Sequence, residues 1–364
     1  MIKCYVTEFL RKNILMIVCI LFFVPVLEAQ QIVNGQITDV IDGMPVEGAN
    51  IFIANTTIGT TSDEMGNYSI TVSGNGSFEI VLSHVGYKSY VYKINSPQSF
   101  HRHDVALEIN ELPEVVITAR KTYRRSDINL FWEKILGEKP SKNGLEAINP
   151  DKVYYFLNSE RVLKVSCKEP IEVINHQMGY RIRYVLYNFQ HDYRKNETSF
   201  SGMPYFEELT PQDSIQKNRW EKKRKETYAV SITHFLRALY RKQIHKEGFF
   251  LAIKDSIING QAVPLKDILK SEQSMILVNI EVPLLLMCYS KPVTARMIKD
   301  SYMVFMRDEK FPIVIELLPQ QFIIYPDGTY SGNLQTQVNR SYIFGLSSIL
   351  PVEYGNYDAK SKAN

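Results

Sequence analysis

Histidines are the side chains that most often supply acid–base or metal chemistry near neutral pH, and this chain has seven of them. None is followed by Glu at the first or third position after it, which is the spacing that zinc peptidases use on a helix face. The segment His101-Arg102-His103-Asp104 superficially resembles a cluster of metal ligands. It falls before the last strand expected in the first folded unit, so we interpret it as a solvated loop. The sequence therefore predicts no metal site.

Motifs for nucleophilic catalysis and for phosphate binding are also missing from the sequence. There is no Gly-x-Ser-x-Gly turn to expose a serine nucleophile, and no glycine-rich loop followed by Lys-Ser/Thr to hold phosphates. Ser214 and Lys217 match a Ser-x-x-Lys pattern, but such a short match often arises by chance in a polar helix, and no partner motif follows it. We therefore predict no catalytic residue and no cofactor.

A basic run between Lys217 and Lys225 is interleaved with Trp220 and Glu221. Such a run can contact an anionic glycan or a lipid headgroup, or it can form the solvated face of a helix, which we favour. The whole chain carries 42 Lys and Arg against 39 Asp and Glu, a formal charge of +3. This near-balance argues against a nucleic-acid binder, because neutralising phosphates needs a clear cationic excess.

Residues 1–29 have the pattern of a secretory signal peptide. Basic residues precede an apolar run from Ile14 to Leu27, and Ala29 offers a small residue before a predicted cleavage at Gln30. The run is shorter than the roughly 20 residues of a spanning helix, so we prefer an exported, cleaved chain to a retained anchor. No later segment is long and apolar enough, and we predict no transmembrane helix in the mature chain.

Two cysteines, Cys167 and Cys288, remain after the predicted cleavage. An oxidising compartment would allow them to form a disulfide. Both lie in apolar runs that resemble strands, so we favour buried free thiols.

Residues 30–109 show short runs of alternating apolar and polar residues, separated by Gly, Pro, Asn and Asp. Six or more such runs, with turns about every 8–12 residues, predict a β-sandwich. In the turn before Tyr68, we expect the Asp63 side chain to accept hydrogen bonds and Gly66 to adopt a positive φ.

The same stretch carries a specific pattern of glycines, acids and aromatics. It reads Gly35-x-Ile37-x-Asp39, Gly43-x-Pro45-Val46-x-Gly48-Ala49, Thr57-x-Gly59-Thr60-Thr61-x-Asp63-x-x-Gly66-x-Tyr68 and Ser83-x-x-Gly86-Tyr87. This pattern resembles the carboxypeptidase-like regulatory domain, a transthyretin-like sandwich of about seven strands found in exported envelope proteins of Bacteroidetes. The resemblance implies an all-β N-terminal domain without peptidase residues.

The linker 110–125 carries a second resemblance. Leu112 to Ala119 resembles the short energy-coupling segment that follows this domain in TonB-dependent outer-membrane transporters. Those transporters continue into a barrel of about 22 strands, for which the residues after Ala119 are too few. We therefore favour a linker strand over a coupling peptide around Val115.

Residues 126–364 predict an α+β domain with antiparallel strands and a few helices. We expect a helix over 127–136, capped by Ser126, and a second helical region from Pro211 to about Gln243, in which Arg237 falls off the apolar stripe. Several blocks resemble segments found behind the same regulatory domain in Bacteroidetes exported proteins. They are Gly179-Tyr180, Phe206-Glu207-Glu208-Leu209, Trp220-Glu221-x-x-Arg224, His234-Phe235-Leu236-Arg237-Ala238-Leu239, Glu247-Gly248-Phe249 and Leu350-Pro351-x-x-Tyr354.

The resemblance also bears on modification. Ser214 and Ser256 each follow Asp and precede Ile. These positions match the Asp-Ser/Thr-apolar sequon of the O-glycosylation system that Bacteroidetes apply to exported proteins, and both are predicted as possible O-glycosylation sites.

Together, these patterns favour a non-catalytic exported cell-envelope protein that acts through protein or glycan interaction. We expect it in the periplasm, at the outer membrane or on the cell surface, with an unknown envelope protein or glycan as partner and no nucleic acid. Two alternatives stay open. One is a hydrolase of cell-wall or glycan material with converging carboxylates in the C-terminal domain. The other is an accessory of a TonB-dependent outer-membrane transporter.

Overall fold

The computed structural model of the chain describes twelve ranges: 30–73, 77–94, 100–110, 123–137, 144–253, 263–272, 275–289, 292–293, 313–332, 334, 336–338 and 345–355. The predicted signal peptide, Val115 with most of the linker, and Ser256 lie outside these ranges. The described part is mostly β, with 46% strands and four short helices, which confirms the expected fold class. Within it, no helix is both long and apolar enough to cross a membrane.

The N-terminal unit is a sandwich of two sheets. Its eight described strands are β1 (Gln30–Asp39), β2 (Asn50–Ile53), β3 (Gly59–Thr61), β4 (Asn67–Ser73), β5 (Phe78–Ser83), β6 (Tyr90–Ile94), β7 (Phe100–Arg102) and β8 (Val105–Leu107). In one sheet, β1 pairs antiparallel with β4 and parallel with β7 and β8. The other sheet has the antiparallel order β3-β2-β5-β6. Inward-facing side chains of both sheets share one hydrophobic core.

The turn between β3 and β4 confirms the expected role of Asp63 and Gly66. The Asp63 carboxylate accepts hydrogen bonds from the backbone N–H groups of Met65 at 2.9 Å and Asn67 at 2.7 Å. Gly66 has a φ of +72°, a backbone conformation that favours glycine. A Cβ at this position would lie 2.3 Å from the carbonyl oxygen of Ile37, so the turn also needs glycine for space.

A six-stranded antiparallel sheet follows, with helix α1 (Arg125–Leu136) packed on its core. The strands are β9 (Leu145–Ala147), β10 (Val153–Leu157), β11 (Val162–Cys167), β12 (Ile171–Asn175), β13 (Tyr180–Asp192) and β14 (Glu197–Glu208). The residue that caps α1 is Arg124, not the expected Ser126. The Asp127 carboxylate accepts the Arg124 backbone N–H at 2.6 Å and thereby moves the helix start towards the N-terminus.

Two helices, α2 (Ser214–Ala229) and α3 (Ile232–Tyr240), replace the single helical region expected from Pro211 to Gln243. The break falls at Ser231, which caps α3 because its hydroxyl accepts the His234 backbone N–H at 3.1 Å.

In the part of the chain that the structure describes, the C-terminal unit has two four-stranded antiparallel sheets. One contains β15 (Phe249–Ile253), β18 (Leu284–Cys288), β19 (Ile313–Leu317) and β22 (Thr336–Val338). The other contains β16 (Leu269–Glu272), β17 (Met275–Ile280), β20 (Gln320–Ile324) and β21 (Tyr330–Gly332), preceded by the short helix α4 (Leu265–Ile268). Both sheets and α3 share a core that is separate from the core beneath α1. The described part of region 126–364 therefore holds at least two separate hydrophobic cores.

Both cysteines are free thiols in the structure, as expected from their apolar surroundings. Cys288 is buried in the C-terminal core and Cys167 is half-buried at the end of β11. Burial raises the pKa of Cys167 to about 12 and also raises the pKa of Cys288.

The outer face of the sandwich sheet β3-β2-β5-β6 packs against the hairpin formed by β13 and β14. Four buried apolar side chains form this contact: Phe52, Ala54, Val81 and Val185. Two backbone hydrogen bonds extend it, from Asn55 N–H to Pro204 O at 2.8 Å and from Phe206 N–H to Thr56 O at 3.0 Å. The sandwich is therefore joined to the following unit by direct packing as well as by the linker.

Candidate functional site

A cleft of about 760 Å³ opens where the sandwich, the helices and the C-terminal unit meet. The first wall is the end of the sandwich where β2 finishes and β5 begins. The second wall is formed by α2, α3 and the turn between them. The third wall combines the turn before β21 with residues 345–355, which we call the strap. The volume lies within the range of roughly 300–1,000 Å³ that is typical of small-molecule sites.

The charged side chains in the cleft are balanced. Lys93 and Lys223 oppose Glu79 and Glu226 in the lining, so the described residues contribute no net formal charge to attract a strongly ionic ligand. Most of the other polar side chains carry hydroxyls: Thr56, Ser77, Thr227, Tyr228, Ser231, Thr233, Thr329, Tyr330, Ser347 and Ser348. Hydroxyls donate and accept hydrogen bonds, which suits a neutral polar ligand.

The sandwich and the C-terminal unit also touch directly beside the cleft. The Lys93 ammonium donates a hydrogen bond to the Ser331 hydroxyl at 3.2 Å. The neighbouring Tyr330 lines the cleft and is 41% exposed. Desolvation, followed by the negative charge of Glu79, raises the pKa of Tyr330. Its hydroxyl therefore stays protonated at neutral pH, and its ring offers an accessible aromatic surface at the cleft.

Arg237 on α3 holds the third wall in place. Its Nε donates to the carbonyl oxygen of Asp327 at 2.8 Å, in the turn before β21. Nη1 donates to Tyr354 O at 2.8 Å and to the Tyr228 hydroxyl at 2.9 Å, and Nη2 donates to Val352 O. A single guanidinium thus binds the turn and the strap together.

The burial of Arg237 corrects the sequence-based expectation for this residue. Its position off the apolar stripe of α3 is typical of a solvated side chain, yet the residue is fully buried. The strap covers that face of the helix and supplies backbone carbonyls that satisfy the guanidinium. Because a carbonyl partner leaves no signal in side-chain spacing, the sequence pattern could not reveal this contact.

Glu353 ties the strap to the sandwich. Thr57 donates both its backbone N–H, at 2.8 Å, and its hydroxyl, at 3.1 Å, to Glu353 Oε1. Beside it, the Val352 N–H donates to Asn55 O at 2.7 Å. Glu353 Oε2 is buried without a hydrogen-bond partner among the described residues. Burial raises the pKa of this carboxyl, although the Thr57 hydrogen bonds and the charge of Arg237 act in the opposite direction.

Helix α2 is anchored to the central sheet by Trp220 and Arg224, which are both buried. Trp220 packs on Gly179, where an added Cβ would lie 2.2 Å from the indole ring. Arg224 Nε donates to Met178 O at 2.7 Å, and the guanidinium carbon lies 4.0 Å from the ring centroid of Tyr180. These contacts fix the second wall of the cleft.

His234 completes the packing between the helices and the C-terminal unit. Its Nε2 lies 3.0 Å from Glu247 Oε2, and its ring stacks on Tyr228 with 4.6 Å between centroids. The sequence blocks that resemble other exported proteins therefore meet around this junction. Hydrogen bonding and packing give each of the contacting residues a structural role.

Ser214, the possible modification site within the described residues, is exposed at the first position of α2. The preceding Asp213 caps this helix, because its carboxylate accepts the Gln216 backbone N–H at 2.6 Å. The second site, Ser256, lies outside the described residues. Ser214 is not among the described residues that line the cleft.

The segment 101–104 is part of the sandwich. His101 and Arg102 lie in β7, which corrects the expected loop. His103 stacks on Tyr92 with 3.9 Å between ring centroids, and Asp104 accepts the Gln36 backbone N–H at 2.9 Å. Across the described ranges, no group of three or more His, Cys, Asp or Glu side chains is placed to hold a metal ion.

Comparison with known proteins identifies the sandwich. Residues 33–117 match the sequence profile of the CarboxypepD_reg-like domain. This chain carries a CarboxypepD_reg-like domain. The match agrees with the glycine and aromatic pattern between Gly35 and Tyr87.

The chain with its CarboxypepD_reg-like domain is also similar to two curated proteins of Formosa agariphila. One TonB-dependent receptor is 30% identical over 120 residues, covering 32% of this chain and 12% of the receptor. A second TonB-dependent receptor is 34% identical over 117 residues, covering 32% of this chain and 11% of the receptor. The chain thus matches only about a tenth of the length of these relatives.

Among solved structures, a DUF3823 family protein from Bacteroides ovatus is similar to part of this chain. The alignment covers 50% of this chain and 82% of the Bacteroides ovatus protein. The alignment has 10% identity and a TM-score of 0.19.

Proposed function

We propose that this chain is a non-catalytic, exported cell-envelope protein that binds a neutral oligosaccharide in the cleft. One observation carries the proposal. The cleft has three walls from separate parts of the chain, and buried contacts of Arg237 and Glu353 hold those walls together. A cleft that is formed before the ligand arrives avoids much of the ordering cost of binding.

The lining supports a sugar as the ligand class. The two lysines and two glutamates cancel in charge, and most of the other polar side chains in the described lining carry hydroxyls. Sugars present hydroxyls that need both donors and acceptors, and they also have apolar ring faces that pack on aromatic side chains. Tyr330 offers such a surface where the cleft meets solvent.

A place in the cell envelope is supported by the similarity of this chain to TonB-dependent receptors. Export is supported by the predicted signal peptide ahead of Gln30. A role as an accessory of a TonB-dependent transporter draws on the same similarity, but its expected coupling segment around Val115 lies outside the described residues.

A hydrolase acting on the same ligand would need two carboxylates, one on each side of the scissile bond. Glu79 and Glu226 are the carboxylates that line the cleft in the described structure. We assign them to ligand binding. This assignment is testable, because replacing a catalytic carboxylate by an amide abolishes turnover and leaves much of the binding intact.

The test is calorimetric titration of the full mature chain with a panel of neutral hexasaccharides based on glucose, xylose and mannose. We expect binding to at least one, and about tenfold weaker affinity for Tyr330→Ala, a loss of about 1.4 kcal/mol. Tyr90→Ala is the matched control, because Tyr90 is similarly exposed but does not line the cleft. Binding to none of the panel, or equal losses in the two variants, would contradict the ligand assignment.

Product analysis after long incubation tests the catalytic alternative separately. No shortening of the bound oligosaccharide is expected. Cleavage that disappears in Glu79→Gln or Glu226→Gln would show that the chain is a hydrolase.

A further inference from the structure

One end of the CarboxypepD_reg-like domain exposes a group of large apolar side chains on neighbouring loops. Each is more than half exposed: Val40, Ile41, Met44, Met65 and Val85. The loops are held next to each other by hydrogen bonds, from the Tyr87 hydroxyl to Asp39 Oδ2 at 2.7 Å and from Gln36 Nε2 to Met65 O at 2.9 Å. Several large exposed apolar side chains on adjoining loops are typical of an interaction site. We call this surface the acidic end, because exposed carboxylates surround it.

Carboxylates surround these apolar side chains. Asp42, Glu47 and Glu64 are exposed on the same loops, whereas the cations Lys88 and Arg102 are paired with Glu108 at 2.9 Å and Asp104 at 3.1 Å. Residues 30–110 carry eight Asp and Glu but only three Lys and Arg. The acidic end therefore repels anionic lipid and attracts a basic surface that also offers apolar contact.

A surface with the complementary chemistry lies on α2 of the same chain. Ile215, Arg219, Lys222 and Lys225 are exposed and spaced along one side of the helix, opposite the buried Trp220 and Arg224. We call these four residues the basic stripe. Glu221 lies 3.5 Å from Arg224 Nη1, and Glu226 is exposed on the same side of α2, so the three cations of the stripe exceed the one carboxylate beside them.

The acidic end and the basic stripe of one chain cannot meet. The acidic end lies where β5 finishes, while the cleft that α2 lines lies where β5 begins. Six residues of strand separate the two ends by about 20 Å. A contact between these surfaces must therefore join two molecules.

We propose that the acidic end of one copy docks on the basic stripe of a second copy. The contact is heterologous, so each molecule keeps one free acidic end and one free basic stripe, and association continues head to tail. Apolar contact between the loops and Ile215 supplies part of the affinity, and the opposite charges set the orientation. The basic stripe lies on α2, which also forms the second wall of the cleft, but none of the residues of either docking surface is among the described residues that line the cleft.

Sedimentation velocity of the full mature chain tests the proposal between about 1 and about 200 µM, a range in which weak interfaces associate. We expect concentration-dependent association that weakens as NaCl rises from about 0.05 to about 0.5 M. The first variant, Ile41→Asn with Met44→Asn, removes apolar contact from the acidic end. The second, Arg219→Glu with Lys222→Glu, reverses the basic stripe. Each alone is expected to associate at least tenfold more weakly than wild type.

Mixing the two variants is the decisive step. The first keeps an intact basic stripe and the second keeps an intact acidic end, so the mixture should form one-to-one dimers and nothing larger. The control variant, Val282→Asn with Lys270→Glu, changes exposed residues outside both surfaces and should associate like wild type.

Three results would overturn the proposal. They are a wild-type chain that stays monomeric at every concentration, a mixture that does not form dimers, and a loss of association in the first variant but not in the second. The last result would indicate contact between two acidic ends. A fourth result would also refute the proposal. If wild type sediments with phosphatidylcholine vesicles and the first variant does not, the acidic end binds lipid and not a second copy.

Discussion

Replacing Arg237 by methionine is expected to weaken the junction around the cleft by about 3–5 kcal/mol. Methionine keeps much of the length of the side chain but removes the charge and every hydrogen-bond donor. Three backbone carbonyls, of Asp327, Val352 and Tyr354, would then lie in the interior without the donor that they now share. The Tyr228 hydroxyl would lose the same partner.

The magnitude follows from these contacts. An unsatisfied buried acceptor costs about 1–3 kcal/mol, so four of them set an upper limit well above the expected loss. Removing a buried cation also removes its desolvation penalty, which offsets part of that cost. Arg237→Lys keeps the charge but replaces a planar fork by a single ammonium, so we expect it to lose about half as much.

Hydrogen exchange measured by mass spectrometry on peptides from residues 345–355 is the appropriate assay. This chain has several cores, so one melting curve would not isolate the junction. The Val352 amide, bonded to Asn55 O at 2.7 Å, reports opening of the strap directly. A loss of 3 kcal/mol or more would speed its exchange by about a hundredfold or more.

Arg241→Met is the matched control, because Arg241 follows the same helix but is partly exposed, with a loose 3.6 Å ion pair to Glu247. That pair is worth about 1 kcal/mol at most. If exchange in the strap is no faster in Arg237→Met than in the control, the buried guanidinium does not hold the strap and the reasoning is wrong.

Three further predictions concern single positions. Gly66→Val should lose at least 1 kcal/mol more stability in thermal melts than Gly43→Val, since both have positive φ but only Gly66 meets a backbone carbonyl; equal losses would contradict the steric argument. Burial raises the pKa of Glu353 above its ordinary 4.5, because the folded state favours the protonated carboxyl. The stability that the protonated carboxyl contributes is present below about pH 4.5 and is lost as the pH rises through the raised pKa. Glu353→Gln should therefore stabilise the chain at pH 7 relative to wild type but have little effect at pH 4 in urea titrations, and the same difference at both pH values would refute this. The thiols of Cys167 and Cys288 should react with an aromatic disulfide reagent at pH 8 only in denaturant, because burial raises both pKa values; rapid reaction of the folded chain would show an accessible thiolate.

The sandwich was largely predictable because its signals are local. Alternation between Tyr68 and Val72 places every second side chain in the core, and the turn at Asp63 and Gly66 depends on residues close in sequence. The strand β7, where a loop was expected, has only three residues. Such short strands are defined by their partners in the sheet and carry too few residues to show a period.

The cleft was not predictable because its walls come from distant parts of the chain. Thr57 and Glu353 are 296 positions apart and Arg237 and Tyr354 are 117 apart, yet both pairs are hydrogen-bonded. The sequence block around Trp220 and Arg224 did not reveal the junction either, because the basic run that contains it was expected to form a solvated helix face. The structure instead buries both side chains on one face of α2.

The packing that joins the CarboxypepD_reg-like domain to the rest of the chain links the two proposals. Phe52 and Val81 bury the outer face of one sandwich sheet, and this fixes the end near Asn55 against the strap. The opposite end is then directed away from the cleft, where its loops stay exposed. A ligand in the cleft and a second copy at the acidic end would therefore occupy different surfaces. If both proposals hold, oligosaccharide binding should leave head-to-tail association unchanged, because the residues of the acidic end and of the basic stripe are not among the described residues that line the cleft.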